Sequence, residues 1–460
     1  MADSALYSLP VSSCRQNASP TILVGVTHAQ TCLVLGARLR ALRRAGFRVL
    51  LLASPGPLLD RTALQEGVEA IALPMQRGIA PLADLASFYR LWRVIGRYRP
   101  DLVEFSTPKA GLLGTVAAWL RGVRRRVYML RGLKLEGTSG WKRRLLLVTE
   151  RWAARAAHVV LCNSESLREE ALALRLAPAE KLQMLGEGSS NGVDTERFSP
   201  GADTVRTSLG IPKDVPVIGF AGRLTRDKGL PELIEAFEEI LSVMPEARLL
   251  LVGWFDAGED ALDAELRERI LRHRQIHCTG FVADTAPYYR AMDLMVLPTW
   301  REGFPNVVLE AAATGVSVVT TESTGARDSV VPEVTGLLIP PGYPQAIYEA
   351  AVKLLRDPER RRRMGQAARR WTLEHYAESR VVGLTVEYYK ALIDGRIAAV
   401  PPSPPRRASD GSSPDPLTPA PSVPEALQSR QETAFHGWRS APVESARLAG
   451  PSRRAAGARL

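Results

Sequence analysis

The chain has 460 residues, of which 45% are apolar and 24% are charged, and its formal net charge is +11. This length and apolar content supply the cores of two or three domains and exclude a globally disordered chain. The positive charge favours contact with anions such as phosphorylated ligands, nucleic acid or an anionic membrane surface.

Three features of the sequence favour a cytoplasmic protein. No apolar run approaches the ~18–20 residues that a membrane-spanning helix needs. The start of the chain lacks the basic and then apolar order of a signal peptide. The four cysteines lie far apart without C-x-x-C spacing, which is typical of buried thiols in a reducing compartment rather than of a disulfide framework or a zinc site.

Short β-branched and leucine-rich runs alternate with amphipathic segments along the first part of the chain. Helical segments of about ten or more residues separate these runs, which is the spacing of βαβ units. The pattern therefore predicts a parallel sheet with helices on its faces. Its predicted strands are residues 21–26, 47–52, 101–105, 126–130 and 158–162.

The same pattern restarts after residues 186–194, a segment rich in turn-forming residues. We therefore predict an α/β fold of two doubly wound, Rossmann-like parallel-sheet domains that face each other across a cleft. The strands of the second set are residues 215–220, 247–252, 276–278, 294–297, 317–320 and 336–339.

The predicted organisation has four parts and one returning helix. An N-terminal extension precedes the two domains, and a helix at about residues 376–395 completes the first domain. The final segment is rich in Pro, Ser and Arg, a composition typical of a disordered tail. The predicted boundaries are 1–20 for the extension, 21–195 and 196–375 for the domains, and 396–460 for the tail.

Two glutamates follow the strand that is predicted at residues 294–297. Glu302 lies in a Gly- and Pro-containing turn, and Glu310 lies eight residues later in the helix that the turn begins. The pattern places Glu302 and the backbone N–H groups of the turn at the carboxyl end of a parallel strand. Open α/β sheets bind their ligands at that edge.

A second motif, residues 222–230, follows the strand predicted at residues 215–220. Arg223 offers a planar fork of donors, Lys228 a mobile charge, and the following helix its first N–H groups, which together suit a phosphate. Taken alone, the motif is more typical of a basic surface loop. With Glu302 and Glu310 at the same sheet edge, it predicts a pocket for a nucleotide diphosphate.

Other common sites are missing from the sequence. A Walker A loop, a G-x-G-x-x-G turn after the first strand, a G-x-S-x-G elbow and a metal-spaced cluster are all absent. These absences disfavour an NTPase, a Rossmann dehydrogenase, a serine hydrolase and a metalloenzyme.

Arg223 and Lys228 in the motif at residues 222–229, followed by Glu302 and Glu310, resemble the donor site of retaining glycosyltransferases with the GT-B fold, and more narrowly of family 4. Residues 106–114, 188–194 and 335–338 are similar to the capsular-polysaccharide and bacillosamine-lipid glycosyltransferase branch. The resemblance covers about residues 21 to 393.

The resemblance implies a role for each residue of the motifs. Arg223 and Lys228 hold the donor diphosphate and stabilise the departing charge in place of a metal ion. Glu302 contacts the transferred sugar, and Glu310 accepts hydrogen bonds from the ribose hydroxyls. The implied catalytic residues are thus Glu302, Arg223 and Lys228, with no metal or cofactor. The implied donor-binding residues are Glu310, Gly303, Phe304, Asn306, Val307 and Arg131.

Two points in the first domain depart from the pattern of the family. Arg131 stands where many relatives have a histidine that contacts the donor sugar. It is open to two interpretations, contact with an anionic sugar or phosphate, or a variant particular to this branch. The loop that contains His28 lacks the Gly-Gly pair of many relatives, and His28 is better explained as shaping that loop than as a base.

The expected partners are a nucleotide sugar and a lipid-linked or glycan acceptor of cell-surface polysaccharide synthesis. We expect the nucleotide of the donor to be UDP. Cations and tryptophans between residues 119 and 147 admit two interpretations. They form either a surface for anionic lipid and a lipid-linked diphosphate or an ordinary basic face over a buried helix.

Three alternative functions stay open. The first is a UDP-sugar epimerase of the same fold, against which the two motifs favour transfer. The second is a basic protein that binds nucleic acid, although no recognition helix or basic-aromatic platform supports it. The third is a membrane-surface scaffold without catalysis, which the four charged motif residues disfavour. We expect no nucleic-acid partner.

Overall fold

A computed structural model describes residues 19–76, Gly78 and residues 80–396. The predicted N-terminal extension therefore lies outside the described residues except for its last two positions. The predicted disordered tail lies outside them except for Arg396, and its disorder stays a prediction.

Seven parallel strands form the first sheet. Their order along the sheet is β3-β2-β1-β4-β5-β6-β7, so the chain reverses its direction of winding between β1 and β4. Their bounds are Thr21–Gly25 (β1), Arg48–Ala53 (β2), Glu69–Ala72 (β3), Leu102–Ser106 (β4), Arg125–Leu130 (β5), Val159–Cys162 (β6) and Leu182–Gln183 (β7).

Six parallel strands form the second sheet. Their order is β10-β9-β8-β11-β12-β13, with the reversal between β8 and β11. The bounds are Val217–Ala221 (β8), Arg248–Val252 (β9), Ile276–Cys278 (β10), Leu294–Leu297 (β11), Ser317–Thr321 (β12) and Gly336–Ile339 (β13).

Helices connect the strands on both faces of each sheet, as parallel pairing requires. The helices of the first part are α1 (Gly36–Arg44), α2 (Pro57–Glu66), α3 (Pro81–Tyr98), α4 (Pro108–Leu120), α5 (Gly140–Ala156) and α6 (Glu165–Ala173). The later helices are α7 (Val205–Ser208), α8 (Leu230–Val243), α9 (Ala264–Arg272), α10 (Ala286–Arg290), α11 (Asn306–Thr314), α12 (Pro344–Arg356), α13 (Pro358–His375) and α14 (Glu378–Asp394).

The prediction of two doubly wound parallel sheets is confirmed. The sequence analysis missed β3 and β7, the two outer strands of the first sheet. β3 has four residues and no fully buried position, and β7 has only two residues, so neither carries the apolar run by which the other strands were predicted. Within the described residues, no helix is both long and apolar enough to cross a bilayer.

The last helix, α14, packs on the first sheet. Tyr388, Tyr389 and Leu392 join the apolar core that β1 and β2 build with α1. This agrees with the returning helix predicted at about residues 376–395, while the domain boundaries themselves stay predictions.

A buried ion pair ties α14 to the first sheet. Arg38 on α1 donates from Nη2 to Oε1 of Glu104 on β4 at 2.7 Å, and neither side chain is exposed. The hydroxyl of Tyr389 donates to the other carboxylate oxygen of Glu104 at 2.6 Å. A buried carboxylate is tolerated only with such partners, since its desolvation is otherwise uncompensated.

Removal of the buried cation is expected to destabilise the protein strongly. Arg38→Met leaves the Glu104 carboxylate buried without its counter-charge, which costs about 3–5 kcal/mol of unfolding free energy. Arg48→Met is the matched control, because Arg48 pairs with Glu69 at the same 2.7 Å but about half exposed. That variant is expected to lose under about 1 kcal/mol. Urea unfolding measures both losses, and equal losses would show that burial of the pair does not matter.

Candidate functional site

A cleft of about 630 Å³ lies where the carboxyl edges of the two sheets face each other. The first sheet contributes the loops after β1, β3, β4 and β5, with His28 in the first of them, and the second contributes the loops after β8, β9 and β11. The loops after β8 and β11 flank the point where the strand order of the second sheet reverses, the usual ligand position in such sheets. The predicted site residues that line the cleft are Glu302, Arg223, Lys228, Gly303 and Arg131.

The two halves of the cleft touch through backbone at its floor. A Cβ atom built on Gly303 would lie 2.1 Å from the carbonyl oxygen of Arg131. A Cβ atom on Gly132 would lie 3.2 Å from the backbone nitrogen of Gly303, and the φ of +124° at Gly132 favours glycine in any case. Only glycine at both positions allows the loops after β5 and β11 to meet this closely.

Arg223 follows β8 and extends toward two carboxylates of its own half. Its Nη1 lies 2.8 Å from Oδ2 of Asp256 in the loop after β9, and its Nη2 lies 3.7 Å from Oδ2 of Asp227. The guanidinium is partly exposed and lines the cleft. It remains accessible to a ligand, but a ligand must share it with Asp256.

Lys228 and Glu302 form a close ion pair across the reversal point of the second sheet. The Nζ atom of Lys228 lies 2.5 Å from Oε1 of Glu302, and both side chains are mostly buried. The backbone of the Glu302 loop is held by hydrogen bonds from Trp300 N–H to the Asp227 carbonyl and from Glu302 N–H to the Thr324 carbonyl. Two of the three residues predicted as catalytic are therefore in direct contact.

The cleft carries cations and carboxylates in equal number. Lys134, on the first half, reaches across to Glu259 at 2.9 Å, and Arg301 pairs with Asp260 at 3.0 Å. The cations that line the cleft are Arg131, Lys134, Arg223, Lys228 and Arg301, and the carboxylates are Asp227, Asp256, Glu259, Asp260 and Glu302. An anionic ligand must therefore replace some of these internal partners to gain cationic ones.

Arg131 is the exception among these cations. Its Nη1 donates to the hydroxyl of Ser190 at 2.9 Å, while Nε and Nη2 are buried and make no hydrogen bond to any residue that the structure describes. Burial lowers the pKa of Arg131 to about 10, and the charge of Arg38 acts in the same direction. The guanidinium is thus charged at neutral pH, and its Nε and Nη2 groups have no acceptor among the described residues.

Glu310 is not among the residues that line this cleft. It lies one turn into α11, where its Oε2 accepts a hydrogen bond of 2.8 Å from the hydroxyl of Tyr289 on α10. Burial raises the pKa of Glu310 to about 7, and the bond from Tyr289 opposes that shift. The side chain keeps some exposure. Glu310 is therefore held by α10, and its contact with the ribose stays a prediction.

The other predicted donor-binding residues surround the start of α11. Phe304 is buried and its ring packs 5.2 Å from that of Tyr376, which indicates a packing role for the side chain. Asn306 begins α11, and its Oδ1 accepts a hydrogen bond of 3.2 Å from the Ser189 hydroxyl. Val307 follows in the first turn. No side chain caps this helix, so the first N–H groups remain available for an anion.

Sequence analysis missed the carboxylates of the cleft. Asp256, Glu259 and Asp260 lie in the loop after β9, which is the strand next to β8. The rule that placed Glu302 at a strand end would have found this loop also. Asp227 and Arg301 are immediate neighbours of predicted residues but were not assigned roles.

A second cavity of about 490 Å³ lies at the opposite edge of the first sheet. Two of its cations are bound to the ends of helices. Arg125 donates from Nε to the Leu392 carbonyl at the end of α14, and Lys181 donates to the Ala157 carbonyl after α5. These contacts neutralise helix C-termini, which gives Arg125 and Lys181 a structural role. Among the described residues, no group of three or more His, Cys, Asp or Glu is arranged to hold a metal ion.

Two family models match the chain over most of its described length. The "Glycosyl transferase 4-like domain" matches residues 35–188, and "Glycosyl transferases group 1" matches residues 215–357. The capsular polysaccharide biosynthesis glycosyltransferase CapM of Staphylococcus aureus is 34% identical over 346 residues, which cover 75% of this chain and 90% of CapM. The chain therefore belongs to the group 1 glycosyltransferases.

More distant comparisons agree with this family and its fold. The UDP-Gal:alpha-D-GlcNAc-diphosphoundecaprenol alpha-1,3-galactosyltransferase of Escherichia coli is 27% identical, over 67% of this chain and 80% of that enzyme. The crystal structure of Anabaena HepE in complex with UDP-glucose is similar, with a TM-score of 0.68, 22% identity, and coverage of 80% of this chain and 99% of HepE. The fold is GT-B, two facing Rossmann-like domains.

A methyl group at the floor of the cleft is expected to separate its two halves. Gly303→Ala places a Cβ atom against the Arg131 carbonyl, so one loop must shift, at a cost of about 1–3 kcal/mol. Gly383→Ala is the control, because a Cβ atom there meets nothing within 4 Å on helix α14 and alanine favours helix. Thermal unfolding measures stability, and hydrogen exchange at residues 131–133 and 302–304 measures the contact. Unchanged exchange in Gly303→Ala would contradict the backbone contact.

Proposed function

We propose that the protein is a retaining, metal-independent glycosyltransferase that transfers a sugar from a UDP-sugar to a lipid-linked acceptor in cell-surface polysaccharide synthesis. The observation that carries the proposal is the placement of Arg223, Lys228 and Glu302 at the reversal point of the second sheet, facing Arg131 across the cleft. Cations there suit a diphosphate, and the first sheet is left for the acceptor.

Lys228 is proposed to hold the donor diphosphate without releasing Glu302. An ammonium group carries three N–H donors, and Glu302 and the Arg301 carbonyl at 3.5 Å take two of these directions. The third is left for a phosphate oxygen. Arg223 adds a second cation once the diphosphate shares it with Asp256. As the glycosidic bond breaks, both cations stabilise the charge that develops on the leaving phosphate, the role that a metal ion plays elsewhere.

Retention is proposed to follow from attack on the face that the diphosphate leaves. The acceptor hydroxyl oxygen bonds to the anomeric carbon while the bond from that carbon to the phosphate oxygen breaks, and the hydroxyl proton passes to the departing phosphate. A double displacement instead needs a free carboxylate as nucleophile. Glu302 is the carboxylate that the sequence places at the transferred sugar, and its ion pair of 2.5 Å with Lys228 weakens it in that role.

The donor and acceptor assignments draw on the relatives as well as on the site. HepE is described in complex with UDP-glucose, and the Escherichia coli relative is described as acting on a diphosphoundecaprenol-linked sugar. CapM is described as a capsular polysaccharide biosynthesis enzyme. Arg131, with two buried N–H donors to spare, is proposed to bind an anionic group of the substrates. The role of Glu310 on the ribose and the cytoplasmic location stay predictions.

Loss of the Lys228 ammonium is expected to abolish most activity without unfolding the protein. Lys228→Ala removes one cation from the leaving group, and turnover is expected to fall about 10²–10³-fold. The stabilisation by UDP in a thermal shift assay should fall in parallel, since a ligand that binds the native state raises its stability. Lys353→Ala, on the exposed side of α12, is the control and should keep both properties. Normal turnover in Lys228→Ala would contradict the site.

Thermal shift and turnover measurements also test the identity of the donor, the metal independence and the epimerase alternative. A panel of UDP-, GDP- and dTDP-sugars identifies the donor as the one that raises the unfolding temperature. EDTA should leave turnover unchanged, and a loss that magnesium or manganese restores would contradict metal independence. Conversion of a UDP-sugar to its epimer without any acceptor would support the epimerase alternative instead.

Removal of the carboxylate that holds Arg223 is expected to tighten nucleotide binding. Asp256→Asn keeps the shape of the side chain but frees Arg223 for the diphosphate, and UDP affinity should rise roughly fivefold, the size of one partly exposed ion pair. Uridine, which lacks phosphate, should bind both proteins equally. Asp203→Asn, which removes a carboxylate near Arg206 and outside the cleft lining, is the control. Weaker UDP binding in Asp256→Asn would show that Asp256 supports the donor site instead.

A further inference from the structure

Helix α5 (Gly140–Ala156) carries an exposed apolar stripe. Trp141 is 67% exposed, Leu145 37%, Val148 48% and Trp152 55%. Their spacing of four, three and four residues places all four on one side of the helix. At 1.5 Å per residue the stripe is about 17 Å long. Large apolar side chains in such a row on an exposed surface are typical of an interaction site.

The opposite side of α5 is firmly packed, so the stripe is a fixed feature of the surface. Glu150 is buried and its Oε2 accepts a hydrogen bond of 2.7 Å from the Tyr128 hydroxyl on β5. The Thr115 hydroxyl on α4 lies 3.3 Å from the Ala153 carbonyl and can donate to it. These contacts fix the rotation of α5 about its axis, so that Trp141 and Trp152 point to solvent.

The charges that α5 itself carries on its outer side have one sign. The cations of α5 are Lys142, Arg143, Arg144, Arg151 and Arg155, and all of them are exposed. The helix has one carboxylate, Glu150, and that carboxylate is buried on the inner side. The outer surface of α5 is therefore apolar and basic without any acidic group.

This charge pattern selects among possible occupants of the surface. A symmetric dimer through α5 would place the same cations against each other, which opposes association. Residues 397–460 carry eight arginines against five carboxylates, so that segment is basic as well. An anionic partner is required, and tryptophans beside arginine and lysine are the residues that prefer the interface of a bilayer.

We propose that the outer face of α5 docks the protein on an anionic lipid bilayer, with Trp141 and Trp152 entering the headgroup region and the flanking cations binding acidic lipids. The helix then lies in the plane of the membrane, because the stripe runs along most of its length. Docking itself depends only on this surface and not on the chemistry of the cleft.

Docking by α5 also orients the cleft, a consequence that rests on the proposed function. The turn Lys134–Gly137 directly precedes α5, and Lys134 lines the cleft. Trp141, at the start of the helix, is therefore near the mouth of the cleft on its first-sheet side. A lipid-linked acceptor in the same bilayer would enter the cleft from that side.

Vesicle flotation of the full-length protein tests the proposal. The probes are phosphatidylcholine vesicles with and without phosphatidylglycerol, and binding is expected only to the anionic vesicles at low salt. The double variant Trp141→Gln, Trp152→Gln should lose about tenfold in partitioning per tryptophan, because interfacial binding scales with buried apolar area. Arg144→Gln with Arg155→Gln should lose roughly tenfold or more, at about 1 kcal/mol per cation.

Leu64→Gln with Leu82→Gln is the matched control, because these leucines are 85% and 86% exposed but lie on α2 and α3. The control should bind as the unaltered chain does. UDP stabilisation should be normal in all of these variants, so failure of docking and failure of the donor site are separable. Equal binding by control and stripe variants, or a dimer in sedimentation equilibrium that the tryptophan variant abolishes, would overturn the proposal.

Discussion

The backbone contact between Gly303 and the loop Arg131-Gly132 is the constraint on which the cleft depends. It brings the loops after β5 and β11 into backbone contact at glycine positions, where no Cβ atom intervenes. Two charged residues of the site are adjacent to this contact, Arg131 on one side and Glu302 on the other. A side chain at either glycine would separate the two sheets and with them the two groups of charges.

The five carboxylates of the cleft balance its five cations, and this balance explains how the cations can lie close together. Cations aimed at a diphosphate would repel one another in a partly buried cleft if they were alone. Carboxylates from the loops after β8, β9 and β11 hold Arg223, Lys228 and Arg301 in place. Under the proposed function, a diphosphate would share Arg223 with Asp256, and no loose cation would have to be ordered when it binds. Arg131, fixed by burial and by Ser190, needs no such partner.

Sequence reasoning found Arg223, Lys228 and Glu302 because the ends of parallel strands meet at one edge, and this rule needs only the strand order along the chain. It did not anticipate the partner of Glu310: the hydroxyl of Tyr289 on α10 donates to that carboxylate, and such a contact depends on packing that the local pattern does not contain. The role of Glu310 at the ribose stays a prediction. The basic stretch after residue 119 was left between two interpretations. The packing of Glu150 and Ala153 shows which side of α5 faces outward, and the docking of that side on a membrane is a proposal.

The sequence by itself determined the two sheets, their order in the chain and the two motifs of the donor half. These depend on local apolar runs and on the rule that parallel strands require crossovers. The tertiary structure alone decided which charges neutralise one another. It also decided that Arg131 keeps two N–H donors without an acceptor among the described residues, and that four apolar residues of α5 are exposed to solvent. Those properties arise between residues far apart in the chain, as with Arg223 and Asp256 or Lys134 and Glu259, and no local pattern records such distances.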